Sequence, residues 1–469
     1  MSNASDHTAN GDVEKKPSAS PAPFVGFWSK DVAQQRKAYL IGMAKVTFMV
    51  TLMVWSAMAL YWGSLYRELI ETPKLHGWII NRDPNGVIGQ NISAAVEAIS
   101  NSPSRSHITW DPIPANMYTD AQIDNEIAVQ ESSWAALIIE TDATARLTQA
   151  RNTGDASFNP MSLLTLVYSE SRNQQAVPGI IVSGITNQLQ PTLASISATL
   201  AAQYISQNIG NQAALQNVVN APRTISNSIV IANRNLRPYD ANKYNGAILA
   251  ATYVGLIYLT ILAFNIVMGN LGMRQTIQRR LKLSSLIGMR ILVPVAIYFW
   301  LSLMFTLLQA AFHLDFDGWG LGYGAGFMTF WMVAWSSMSA LGLTLECILS
   351  LVGPQFIAFG LVVVIIINVS GALIPLELSP SFYLYNRAMV FYNTKQCFLT
   401  IFTNAGRHLV ILKAVGIIWA WVAVMVLTFP IWIWLERRRQ LKEAKSAGGP
   451  QGSGKQADEK ETPSESNQS

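Results

Sequence analysis

Charge is scarce in this chain of 469 residues. Only 13% of it is charged while 50% is hydrophobic, against roughly a quarter charged in an ordinary soluble domain. That balance excludes a typical solvated surface and points to a membrane protein. Cysteine is nearly absent: Cys347 and Cys397 both lie in the apolar C-terminal half. The polar region 64–245 therefore has no disulfide framework. The five histidines, His7, His76, His107, His313 and His408, are scattered without metal-ligand spacing, so no metal site and no cofactor is expected.

A nucleotide motor is missing too. "GGPQGSGKQ" (448–456) imitates a phosphate loop through Gly449, Gly454 and Lys455. Such a loop needs a buried strand before it and a helix whose N-terminus receives the phosphates. Neither flanks this stretch, and Gln456 stands where a Ser or Thr hydroxyl would hold magnesium. Residues 1–23 and 446–469 are rich in Ser, Ala, Pro, Gly, Gln, Glu and Lys without periodicity, which predicts disordered tails. Any ATPase would be a separate chain.

What is present in quantity is long apolar runs. A bilayer core about 30 Å thick takes about 20 apolar residues of helix. Six stretches qualify: 40–63, 246–269, 291–312, 323–345, 356–374 and 410–435. Basic residues mark the cytosolic side. They cluster before the first run (Lys30, Arg36, Lys37), between the second and third in the loop 270–290 (Arg274, Arg279, Arg280, Lys282, Arg290), and after the sixth (Arg437, Arg438, Arg439, Lys442, Lys445). The loop between the third and fourth runs has Asp315 and Asp317 and no Lys or Arg. Six spans with both termini cytosolic fit all these clusters. The net charge of +5 is then topological, with anionic membrane lipids as partner and no nucleic acid. Phe24, Phe27 and Trp28 precede a basic stretch that reads as an elbow helix, or as an aromatic belt, ahead of the first span; the cytosolic tail and elbow fill 1–39.

The expected fold class is thus an α-helical integral membrane protein with six transmembrane helices and a large extracytoplasmic α/β domain, 64–245, between helices one and two. Within that domain, apolar strands are predicted near 76–80, 106–112, 134–140 and 163–170. Helices are predicted after the Asp-Pro-Asn-Gly turn at 83–86, over 119–130 with Thr119 as N-cap, and over 179–209 with an interruption at Pro191. Asn91-Ile92-Ser93 is a usable glycosylation sequon, making Asn91 a candidate site. Ser132, Ser133, Ser169, Ser171 and His107 form no nucleophile elbow, so no catalytic set and no enzyme is expected.

The fifth run ends in Gly371 and Pro375. An aromatic-rich, broken stretch follows over 375–409, predicted as an outer re-entrant segment of two short helices. "SGALIPLELSPSFY" (370–383) resembles the signature after span five of type-two ABC-exporter membrane domains. "GWIINRDPNGVIGQNI" (77–92) resembles the opening of bacterial phage-infection-protein-like members. "WAALIIETDATARLTQA", "FNP" and "VYSESR" look closer to the fungal nitrosoguanidine-resistance membrane protein family. The resemblance spans most of 40–436. It implies a plasma-membrane protein tied to tolerance of toxic small molecules as an export permease, forming a homodimer as its relatives do. It supplies no catalytic residues.

Polar side chains inside spans are costly and face a bundle interior. Asn265, Gln309, Asn368 and Ser370 are the candidate pathway lining, with helix-to-helix hydrogen bonding as the simpler reading. Glu346 and Glu377 are expected near opposite membrane faces. The glycines between Gly318 and Gly326 suit a turn and close packing before the fourth span. Three functional readings stand: an export permease lacking its own ATPase, a non-transporting membrane organiser or stress regulator, and, more distantly, a membrane-bound acyl-transfer enzyme.

Overall fold

The apolar runs do fold as helices, and most extend past the apolar residues. The computed structural model describes residues 24–104, 106–239 and 245–447; the tail 1–23 and the phosphate-loop imitation at 448–456 lie outside these. The elements are β1 (His76–Asn81), β2 (Thr109–Ile113), β3 (Ala135–Ile139), β4 (Leu164–Tyr168) and β5 (Ile231–Asn235), with twelve helices used below. These are α1 (Lys30–Leu65), α2 (Val87–Ser100), α3 (Asp120–Asn125), α4 (Ala143–Thr153), α5 (Ser183–Gln207), α6 (Gln212–Asn220), α7 (Gly246–Arg274), α8 (Leu283–Ala311), α9 (Tyr323–Val352), α10 (Ile357–Val369), α11 (Val390–Thr403) and α12 (Leu409–Ala447).

Two units divide the chain, one ending at Val54 and one starting at Trp55. In the first, Ser29 caps the entry by accepting from the Asp31 N–H. Arg36 donates to the carbonyls of Phe27 (2.9 Å) and Ser29 (3.1 Å) and lies 5.2 Å from the Trp28 ring centroid. Arg36, Phe27 and Trp28 thus form one local knot.

In the second unit, the sheet runs β2-β1-β3-β4-β5. β1 is parallel to β2 and β3, β4 is antiparallel to β3, and β5 is parallel to β4. Alternate side chains leave opposite faces. Ile79, Leu137, Ile139 and Leu164 meet α2, α4 and α5, while Trp78, Ile80, Ala136, Ile138 and Val167 meet Ile123 and Ile127. Because both faces are covered, β3 is buried at every position and reads as an unbroken apolar run. The expected break at Pro191 does not occur: α5 runs through it. Its ring sits on the exposed side, while Ile185, Leu189 and Leu193 hold the opposite face in the core.

Among the described residues, five helices are long and apolar enough to cross a membrane: α1, α7, α8, α9 and α12 over Leu409–Arg439. The predicted fifth span is shorter. α10 has 13 residues, or about 20 Å at 1.5 Å per residue. Gly353 (φ +84) precedes it, and the chain leaves the α-helix by Gly371. The predicted re-entrant segment contains a 3-10 helix, Ser381–Ala388, then α11, whose side chains pack into the core with α9 and α12. α12 continues to Ala447, so 446–447, expected in the disordered tail, are helical. Arg437 and Arg439 on this helix donate to the carbonyls of Leu281 and Leu351. Before α9, Gly318 lies so close to the Phe402 carbonyl that a Cβ would collide with it, and Gly322 takes φ +91 to start the helix.

Candidate functional site

α9 crosses the middle of the bundle and carries an acid. Glu346 is 0% exposed. Arg274, in the last turn of α7, donates Nη1 to Glu346 Oε1 at 3.0 Å. Arg290, one helix further on, donates Nε and Nη2 to Glu346 Oε2 at 3.2 and 2.7 Å. Its Nη1 reaches Glu436 on α12 at 2.7 Å, and Nη2 also reaches Ser350 Oγ at 2.6 Å. Four helices therefore meet at two carboxylates and two guanidinium groups. Phe429 lies 5.1 Å from the Arg290 guanidinium carbon. Both arginines are 1% exposed. They were expected among basic loop residues facing lipid; instead acids on other helices draw them in. This also extends α7 to Arg274 and starts α8 at Leu283, shortening the predicted loop 270–290. Glu346 was expected near an interface, and its partners could not be read from one helix. Arg274 Nε and Nη2, and Asn270 Nδ2 one turn earlier, are buried without a partner among the described residues.

The opposite end of the bundle is joined to the sheet domain. Asn173 accepts the Gln175 and Ala176 N–H groups and donates to the Leu373 carbonyl at 3.2 Å. The Gly406 N–H donates to Ala128 O, and Arg237 Nε to Asn404 O. Ile374 and Leu378 enter the apolar core of the sheet domain. A cavity of about 70 Å³ lies in this junction, lined by Glu131, Arg172, Glu377, Tyr392 and Lys395 among others. Lys395 is buried and donates Nζ to Ala372 O at 2.6 Å. The Arg172 guanidinium lies 3.6 Å from the Trp134 ring centroid and donates to Ser133 O. Burial, with the Glu377 charge adding and the Arg172 charge opposing, raises the pKa of Glu131 above the ordinary carboxylate value. Burial lowers that of Arg172.

The four candidate lining residues separate. Asn265 is exposed on α7. Gln309 is buried and donates to Phe305 O in its own helix at 3.3 Å. Asn368 and Ser370 come together at the end of α10: Asn368 donates to Val364 O and accepts from the Phe391 N–H, while Ser370 bonds the Tyr385 hydroxyl at 2.9 Å. Both anchor the 381–391 stretch. Asn91 is exposed on α2, and the Ser93 hydroxyl of its sequon accepts from Asn81. Between α9 and α12 a lateral groove of about 310 Å³ is lined by Met328, Thr329, Met332, Trp335, Ser336 and Trp419. Its two hydroxyls bond back to their own helix and Trp335 Nε1 donates to Val295 O, so the groove presents an apolar wall.

These features define a helical membrane protein whose bundle is stapled by buried charges and joined to an α/β domain. The chain belongs to the family described as "Protein of unknown function (DUF3533)", which matches residues 46–427. It is 24% identical over 417 residues to the "Uncharacterized endoplasmic reticulum membrane protein YJR015W" of Saccharomyces cerevisiae, covering 83% of this chain and 79% of that one. No solved structure matches.

Proposed function

We propose that the protein is a permease-like translocator of amphipathic toxicants or lipids, without an ATPase of its own, in which the Glu346 cluster is a latch. Ionisable groups buried among apolar spanning helices are expensive and mark function more often than not. Four helices held by one set of side-chain contacts form an element that can part and re-form. The α9–α12 groove supports an apolar guest approaching sideways from the bilayer. The resemblance to the nitrosoguanidine-resistance family and to type-two ABC-exporter membrane domains supports export from the plasma membrane. In this reading α10 and the stretch after it complete a sixth crossing, both termini are cytosolic, the sheet domain faces out, and a homodimer with a separate ATPase completes the exporter. The endoplasmic reticulum in the yeast relative's name makes that membrane the alternative location.

A second reading, a non-transporting organiser, draws support from Gln309, Asn368 and Ser370, whose polar atoms are spent on bonds within the chain. Accumulation of a labelled amphipathic toxicant in vesicles carrying the full chain, with and without ATP, separates the two. The translocator reading expects uptake that is abolished, at unchanged protein level, when Arg274, Arg290, Glu346 and Glu436 are together replaced by uncharged side chains. Uptake equal to that of empty vesicles, with tolerance lost only on deleting 70–240, would favour the organiser.

A further inference from the structure

β1 lies between β2 and β3 and runs parallel to both. The chain leaves β1 to build β2 on one side, then crosses to build β3 on the other. Connections leaving the carboxyl ends of such strands diverge and open a crevice where ligands bind in open α/β sheets. A cavity of about 460 Å³ lies at that point in this sheet. Its lining comes from all three connections: Arg82 after β1, Asn116, Tyr118, Thr119 and Gln122 after β2, and Thr141 after β3. Small-molecule sites occupy roughly 300–1,000 Å³.

The lining has a definite chemistry. The Arg82 N–H is pinned to Ile139 O at 3.1 Å. Its Nη2 meets Asp120 at 2.7 Å, the side chains being 16% and 58% exposed. Arg82 Nε and Nη1 have no protein partner among the described residues. The Tyr118 ring stacks on Trp78, centroids 5.2 Å apart and planes 4° from parallel, which makes a rigid flat wall. A capping box fixes Thr119 to Gln122 and uses the Gln122 side-chain oxygen as its acceptor.

Phosphate fits poorly. The nearby starts of α2 and α4, natural places for an anion, are already tied to an acid of the chain. Asp83 Oδ2 accepts from the Thr144 N–H and hydroxyl, and the Ile88 N–H donates to that hydroxyl. A dianion there would face the Asp83 charge. We propose that this crevice binds a small planar carboxylate, its charge taken by Arg82 and its flat body by Tyr118. The proposal does not depend on transport.

The test uses the full chain in nanodiscs, with 4-fluorobenzoate as probe, observed by ¹⁹F NMR against empty discs. The wild type binds saturably. Arg82→Gln weakens binding by more than about tenfold, the loss of a charge-assisted hydrogen bond. Tyr118→Leu weakens it several-fold, and Asp120→Asn, which frees the guanidinium, tightens it. Inorganic phosphate does not displace the probe. Absence of saturable binding to both wild type and Asp120→Asn overturns the proposal. So does unchanged affinity in Arg82→Gln and Tyr118→Leu, or displacement of the probe by phosphate.

Discussion

The two ends of the bundle are held by different chemistry. At one end Glu346, Arg274, Arg290 and Glu436 bind side chain to side chain across four helices. At the other, Asn173, Lys395 and Arg237 donate to the main-chain carbonyls of residues 372–404. Side-chain contacts can part while every helix keeps its backbone hydrogen bonds. The junction ties 371–406 to the sheet domain through these carbonyls and through Ile374 and Leu378 in that domain's core. In a translocator this makes the Glu346 end the part that opens and the sheet-domain end the fixed support.

The comparison breaks most readily at its charged end. Glu346→Gln leaves two buried arginines without their shared carboxylate, and one-sided loss of a buried pair costs about 3–5 kcal/mol. Thermal unfolding of the purified protein should show a large fall in midpoint. A midpoint close to wild type would mean the arginines reach other acceptors.

A smaller loss is expected at the junction. Asn173→Ala removes one donor to Leu373 O and the acceptor for the Gln175 and Ala176 N–H groups; only the Ala176 N–H is left buried, at a cost of about 1–3 kcal/mol. Hydrogen exchange should rise together in 371–378 and 173–177. Faster exchange in one stretch alone would show that the junction does not tie the two.

The smallest effect concerns pH. The folded-state pKa of Glu131 lies above its ordinary 4.5. The stability that protonation supplies is therefore complete below 4.5 and is lost as pH rises through the folded value. Exchange protection of 371–406 should decline slightly as pH rises across that window, after correction for intrinsic exchange. Glu131→Gln should flatten the decline. An equal slope in that variant would assign it to another group.

The charged end was also the less legible of the two in sequence. Apolar length located α1, α7, α8, α9 and α12, and alternation with turn residues located β1 to β4, because these signals are local. β5 is Ile-Ala-Asn-Arg-Asn at a sheet edge, fully buried at no position, and only its pairing with β4 reveals it. Arg274 and Arg290 looked like loop charges because their acids lie 72 and 56 residues away. Asn368 and Ser370 stood out as polar groups in an apolar run, but which groups they bond depends on the path of 381–391, which composition does not encode. The crevice at Arg82 had no motif; it follows from strand order.

The most direct measurement compares two proteins in one flux assay. One is wild type; the other carries Arg274→Met, Arg290→Met, Glu346→Leu and Glu436→Gln together, replacing the four charges of the cluster by uncharged groups of similar size. Such replacement is often neutral or stabilising, so the fold and its unfolding midpoint should survive. The latch account predicts a folded protein that no longer accumulates the labelled toxicant; undiminished accumulation by the charge-free protein would contradict it.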